Sequence, residues 1–257
     1  MSFLTVENVH HSYFTPKSAT DALKNISFEI EEGEFISLLG PSGCGKTTML
    51  SILSGLINPT EGTVLIDGAA PISLKSSIGY MLQQDYLFPW KTIEENILLG
   101  LKLNKQLTEQ SRATAINLLK EIGLEGVENQ YPRQLSGGMR QRAALVRTLA
   151  INPKILFLDE PFSALDYQTK LKLEDLVFET LKSYKKTAVL VTHDIGEAIS
   201  MSDRILLFAA KPGRLYKTFR VPDELRVIRP FEVRSKEAYS VLFQEIWKEL
   251  ESLESHE

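Results

Sequence analysis

The segment GPSGCGKTT, residues 40–48, follows the apolar run FISLLG and precedes TTMLSILSGL, whose apolar residues recur at helical spacing. It matches G-x-x-x-x-G-K-[ST], a pattern that constrains the chain strongly because it requires a strand on one side and a helix on the other. Glycines there let successive backbone N–H groups wrap phosphate oxygens at a helix start, where the peptide dipoles favour negative charge. On this reading Gly40, Pro41, Ser42, Gly43, Cys44, Gly45, Lys46, Thr47 and Thr48 cradle a polyphosphate. Lys46 reaches its outer phosphates and the Thr47 hydroxyl can ligate Mg2+. An ordinary glycine turn before a helix would not need the Lys-Thr pair. Cys44 reads as a small residue filling a variable position rather than as a redox thiol, although a helix N-terminus can lower a thiol pKa.

The surrounding pattern predicts an α/β fold of the P-loop NTPase, RecA-like kind, with a mostly parallel sheet. FLTVENV, ISFEI and EGTVLIDG read as strands between polar breaks and suggest a small antiparallel β layer. The helix after the cradle is expected to run to Asn58-Pro59. From about Thr92 to Ala150 the pattern is helical, with Ala115, Leu118, Leu119 and Ile122 on one face before Gly123, which suits a helix end. KILFLDEP, TAVLVTHD and DRILLFA then restore the strand-helix rhythm, with continuous apolar runs of the kind buried on both faces of a parallel sheet. One domain over 1–257 results: a catalytic core of 1–88 and 151–213, an inserted helical subdomain over 89–150, and an extension over 214–257 read as helical from Ala238, Leu242, Ile246 and Leu250.

Three further segments bear chemistry. ILFLDE ends a strand with Asp159, placed at the carboxyl edge where a phosphate-bound metal needs a carboxylate, and Glu160 follows, able to orient or deprotonate an attacking water. Without the cradle, this pair would read as solvated strand-end acids. VLVTHD brings His193 to the same edge. QLSGGMRQRAALVRTLA, residues 134–150, sets Ser136, Gly137 and Gly138 at another helix start, a second place able to hold phosphate.

The totals narrow the class. A chain of 257 residues with 43% apolar content can bury a sizeable core, and 29 basic against 33 acidic residues give −4, so no nucleic-acid partner is expected. No run is long enough to span a bilayer, the N-terminus lacks the features of a signal peptide, and the single cysteine precludes an intrachain disulfide.

Taken in order, GPSGCGKTT, QQDYLFPW, LSGGMRQR, ILFLDEP, SALD and VTHD resemble the nucleotide-binding ATPase subunit of ATP-binding cassette (ABC) transporters, over Phe3 to about Gly213. The resemblance implies ATP hydrolysis with Mg2+ in a head-to-tail dimer, a homodimer or a heterodimer with a second cassette. Ser136-Gly137-Gly138 of one subunit would close on the ATP held by the other's P-loop, and Asp166 would sit at the seam with Ser136 and Gly138. It implies that Tyr13 stacks on adenine, and that Gln83, with Gln84 as the rival, contacts Mg2+ and water. Thr47 and Asp159 complete the metal set, and Glu160, His193, Lys46 and Gln83 the catalytic one. DYLFPW would form part of the groove for a coupling helix, and LFPW resembles importers of nitrate, sulfonate, taurine or thiamine precursors. Such a subunit lies on the cytoplasmic side of the membrane against permease subunits, served indirectly by an extracytoplasmic solute-binding protein. Soluble repair ATPases of the same superfamily need a long coiled coil, for which Lys46 to Ser136 leaves no room.

Overall fold

Strands and helices alternate over residues 35–53 and 155–209 in the computed structural model, which describes residues 2–16, 18–163 and 165–255. Ala164 of SALD therefore lies outside the described residues, as do Met1, Lys17, His256 and Glu257. The order is β1 (Leu4–Thr15), β2 (Ser18–Ile30), β3 (Phe35–Leu39), α1 (Lys46–Leu53), β4 (Glu61–Ile66), β5 (Ile78–Met81), α2 (Ile93–Ile97), α3 (Leu99–Leu103), α4 (Glu109–Glu121), α5 (Gly137–Leu149) and β6 (Ile155–Asp159). Then follow α6 (Tyr167–Ser183), β7 (Thr187–Thr192), α7 (Ile195–Met201), β8 (Arg204–Ala209), β9 (Arg214–Arg220), α8 (Asp223–Arg226), α9 (Pro230–Val233) and α10 (Glu237–Ser255).

Two sheets result. β2-β1-β4 is the antiparallel layer. The main sheet runs β5-β6-β7-β3-β8-β9, parallel from β5 to β8. Every residue of β3, β6 and β7 is buried, the two-sided burial that their unbroken apolar runs anticipate. One face packs on the antiparallel layer and α1 through Ile26, Leu38, Leu50 and Phe157. The other joins α6 and the helical lobe through Leu119, Leu145, Leu158 and Val177. A third cluster seats α7 and α10 on β8 and β9 through Ile199, Leu207, Phe219 and Ile246.

Two segments differ from expectation. α1 stops at Leu53, ahead of Asn58-Pro59, because Gly55 takes φ 72 and its N–H bonds back to Ile52 O, a left-handed helix end that needs no proline. The stretch from 214, expected as helical, opens with β9, which pairs antiparallel with β8. RLYKTFR hides this strand because an edge strand carries charge along its length, here Arg214, Lys217 and Arg220. In the helical lobe α2 starts in a capping box, the Thr92 hydroxyl accepting from Glu95 N at 3.2 Å and Glu95 Oε2 from Thr92 N at 2.9 Å. α4 ends before Gly123 at φ 73.

Candidate active site

Three neighbouring strand ends build the site. The register sets Leu39 against Thr192 and Asp159 against Val191, so Gly40 and His193 leave the sheet level with each other and Glu160 one residue earlier, all at the same edge. A cleft of about 810 Å3 opens there, lined by Ser42, Gly43, Gly45, Lys46, Thr47, Thr48, Glu160 and His193, with Tyr13 on its wall.

Lys46 is only 6% exposed, and its ammonium donates to Gly40 O at 2.7 Å and Pro41 O at 2.8 Å. A buried cation needs such acceptors, and the loop's own carbonyls supply them. Gly45 at φ 89 has no room for a side chain: a Cβ there would lie 2.5 Å from Leu23 Cδ2 and 2.9 Å from Ala22 O. Cys44 is fully buried, and burial pushes its thiol above the usual range, with the Lys46 ammonium opposing, which disfavours the thiolate. Tyr13 is 48% exposed, its hydroxyl 3.3 Å from Thr48 Oγ1 and its ring met edge-on by His11 at 4.7 Å.

Thr47 Oγ1 donates to Asp159 Oδ1 at 3.3 Å. Burial raises the Asp159 carboxyl pKa, with the Thr47 hydrogen bond opposing, and the Tyr80 phenol, half-buried beside that carboxylate, is pushed up to about 12 by desolvation and then by the Asp159 charge. Glu160 takes φ 45, a left-handed backbone that costs of order 1 kcal/mol or more and is held by its N–H to Val191 O at 2.9 Å. That turn breaks the strand alternation, so its side chain can face the cleft although Asp159 directly precedes it. Its Oε1 lies 3.3 Å from His193 Nδ1, and Gln83 Nε2 donates to Oε2 at 3.4 Å and to Ser163 Oγ at 3.0 Å.

The second helix start lies in a different place. Ser136 caps α5, its hydroxyl accepting from Met139 N at 3.3 Å, and Asp166 caps α6, accepting from Thr169 N at 3.0 Å. Ser136, Gly137, Gly138 and Asp166 line a separate groove of about 460 Å3 that shares no residue with the first cleft. The structure thus gathers Tyr13, residues 40–48, Asp159, Glu160, Gln83 and His193, and leaves the other four apart from them.

Several residues here gave no signal in the sequence. The loop Lys211-Pro212-Gly213 closes the cleft, and a Cβ on Gly213 would lie 2.3 Å from Cys44 O. α5 also holds the Gln83 loop: Gln141 Nε2 donates to Gln83 O at 2.9 Å, Arg140 Nε to Asp85 Oδ2 at 2.9 Å, and Arg147 to the carbonyls of Asp85 and Tyr86 at 2.7 Å each. Repeated glutamine and arginine on a helix do not say which loop they will meet.

The ABC transporter family profile matches residues 23–163. The ABC transporter ATP-binding protein YtlC of Bacillus subtilis is 63% identical over 257 residues, all of this chain and 99% of that protein. The chain belongs to the ABC transporter family.

Other members of the family are similar over most of their length. The aliphatic sulfonates import ATP-binding protein SsuB of Bacillus cereus is 40% identical over 239 residues, covering 93% of this chain and 90% of that protein. The taurine import ATP-binding protein TauB of Ruegeria pomeroyi is 38% identical over 254 residues, covering 96% and 93%. The dimeric post-hydrolysis structure of the ATP-binding cassette MJ0796, bound to ADP and Pi, superposes with TM-score 0.76 at 36% identity, covering 85% of this chain and 99% of that one. This chain is accordingly an ABC ATPase with the cassette's P-loop α/β fold.

Proposed function

We propose that this ABC ATPase drives solute uptake as one of two cassettes of an importer, with each ATP gripped between the P-loop of one subunit and the Ser136-Gly137-Gly138 helix start of the other. The observation that carries this reading is that the two glycine-bearing helix starts line separate clefts of the same chain. Neither end alone surrounds a triphosphate, so two copies placed head to tail would form two complete sites. Asp166, capping α6 beside Gly138 in that groove, then lies at the seam.

Within one site, residues 40–48 hold the phosphates and Lys46 the outer ones, Tyr13 stacks on adenine, and Glu160 takes a proton from the attacking water while His193 and Gln83 hold its carboxylate in place. Thr47 and Asp159 present adjacent hard oxygen donors, and no cluster of three ligating side chains occurs among the described residues. That set fits Mg2+ held jointly by substrate phosphates rather than by a protein cage, with Gln83 as a further ligand. Mg2+ would supply charge neutralisation at the transferred phosphoryl group.

The helical lobe, residues 89–150, would dock the permease. Tyr86 and Trp90 stand exposed in DYLFPW, Trp90 at 70%, beside exposed Leu82. These aromatics lie on the loop that α5 holds and that carries Gln83, so contact with a membrane partner is linked to the hydrolytic site. The likeness to SsuB and TauB supports an importer of sulfonate-like or other small oxyanion solutes, delivered by a solute-binding protein. No helix among the described residues is long and apolar enough to cross a membrane, which suits a subunit seated on the cytoplasmic side of separate permeases.

The test mixes two defective chains. Ser136→Arg and Lys46→Ala are each expected to lack turnover, whereas an equal mixture regains about a quarter of the normal rate, because half the dimers pair unlike chains and each has one intact site. Full turnover by either variant alone, or none in the mixture, refutes the shared site.

A further inference from the structure

Beside His193 in the chain lies a set of charged groups drawn from α6 and the start of α7. Lys170, in the first turn of α6 and only 15% exposed, places its ammonium 2.6 Å from Asp194 Oδ2 and 2.6 Å from Glu197 Oε1. Asp194 directly follows His193 and caps α7, its Oδ1 accepting from Gly196 N at 2.7 Å and Glu197 N at 3.1 Å. Thr192 directly precedes His193. Its hydroxyl accepts from Asp194 N at 3.0 Å and donates to Glu197 Oε2. His193 is therefore flanked on both sides by residues tied to one buried carboxylate, Glu197, and to one ammonium, Lys170.

We propose that Lys170 is a positioning residue for ATP hydrolysis, fixing the height and direction of His193 through Asp194 and Glu197. The inference rests on the role given to His193 above and goes beyond it by naming what holds that side chain. His193 itself is more than half exposed, and its ion pair with Glu160, Nδ1 to Oε1, is a long one at 3.3 Å, so that contact does little to fix it. Its backbone must be held by its neighbours. Charge-assisted hydrogen bonds from a largely buried ammonium serve that purpose, and Lys170 makes two of them, one to half-exposed Asp194 and one to buried Glu197.

The same lysine ties His193 to the seam. α6 is capped by Asp166, and Lys170 N donates to Asp166 O at 2.9 Å, so one helical turn separates the seam residue from the ammonium that grips the His193 loop. A partner that shifts the α6 cap shifts Lys170 along with it. Through that turn, arrival of the second cassette reaches His193 within the same chain, in addition to whatever the partner supplies directly.

The test is a double-mutant cycle in the full chain, reading ATP turnover by radiolabelled phosphate release. Lys170→Met removes the ammonium and keeps much of the stem. It is expected to lower kcat about 10- to 100-fold, the scale of a small misplacement, while KM for ATP stays unchanged. Lys170→Arg, which can also bridge two carboxylates, is expected to restore most of the turnover. In a His193→Ala background Lys170→Met should cost nothing further, because a residue acting through His193 has nothing left to position. Equal losses in both backgrounds, or normal kcat in Lys170→Met, overturn the proposal. Where Lys170→Met does not fold, Asp194→Asn, which keeps the cap oxygen but loses the charge, replaces it in the cycle with the same expectations. Normal turnover in His193→Ala would instead remove the role of His193 on which the proposal stands.

Discussion

Gly138, the second glycine of the α5 start, is open to two explanations that a stability cycle separates. A Cβ built on it would lie 2.6 Å from Thr169 Cγ2 in the first turn of α6. Gly138→Ala therefore forces two helix starts apart within the subunit, an overpacking cost of about 1–3 kcal/mol, against which alanine's helix propensity returns up to about 1 kcal/mol. Thr169→Ser removes the offending methyl and keeps the backbone N–H that caps onto Asp166. In that background the clash is gone, and Gly138→Ala should be neutral or mildly stabilising. The expected coupling is about 2 kcal/mol, or roughly 4–8 °C in unfolding midpoint for a chain of this size. Urea and thermal denaturation of the four proteins without nucleotide measure it, followed by ATP turnover. If the two substitutions add within about 0.5 kcal/mol, the close approach to Thr169 is not what requires glycine, and the packing argument fails. Turnover lost with the fold unharmed would then place the requirement outside the subunit, at the partner's nucleotide.

Two more tests address the carboxylates. Glu160→Gln keeps the shape that meets Gln83 and His193 but cannot take a proton, so turnover is expected to fall 10²- to 10⁴-fold, with ATP binding intact and an ATP-stabilised dimer on size exclusion; near-normal hydrolysis refutes the assigned base. Glu174 on α6 is fully buried, pairs with Arg234 at 2.7 Å through one oxygen, and has Glu197, Lys170 and Tyr239 around it, while its other oxygen finds no partner among the described residues. Burial raises its pKa from 4.5 to about 7, with Arg234 offsetting only part. The folded state then holds a proton that the unfolded state releases, so this group's stability contribution is full below pH 4.5 and is lost as pH climbs to about 7, up to about 3 kcal/mol. Glu174→Gln should thus gain on the parent protein in unfolding free energy between pH 5 and pH 8, and a pH-independent difference would show the carboxyl to be ionised throughout.

The strand-loop-helix placement of the glycine loop was legible in the sequence because it is local. A glycine loop, a lysine and a threonine between a strand and a helix are contiguous, and their arrangement follows from backbone geometry over nine residues, 40–48. Asp159, Glu160 and His193 were legible for a related reason: each follows an apolar run long enough to mark a buried strand, and in a parallel sheet all such ends lie on one edge. The left-handed turn that aims Glu160 was not legible, since glutamate gives no hint of φ 45. Nor was the strand β9, whose charged face masks its pairing with β8.

What only the tertiary structure decided is which distant side chains meet. Lys170 reaching Asp194, Arg147 reaching the Gln83 loop and Gly213 closing on Cys44 depend on how α6, α5 and the β8–β9 turn dock onto the sheet. Such contacts are fixed by packing and register, which no short window of residues encodes. Within one stretch of chain, bond geometry dictates where groups point; between stretches, only the assembled core does.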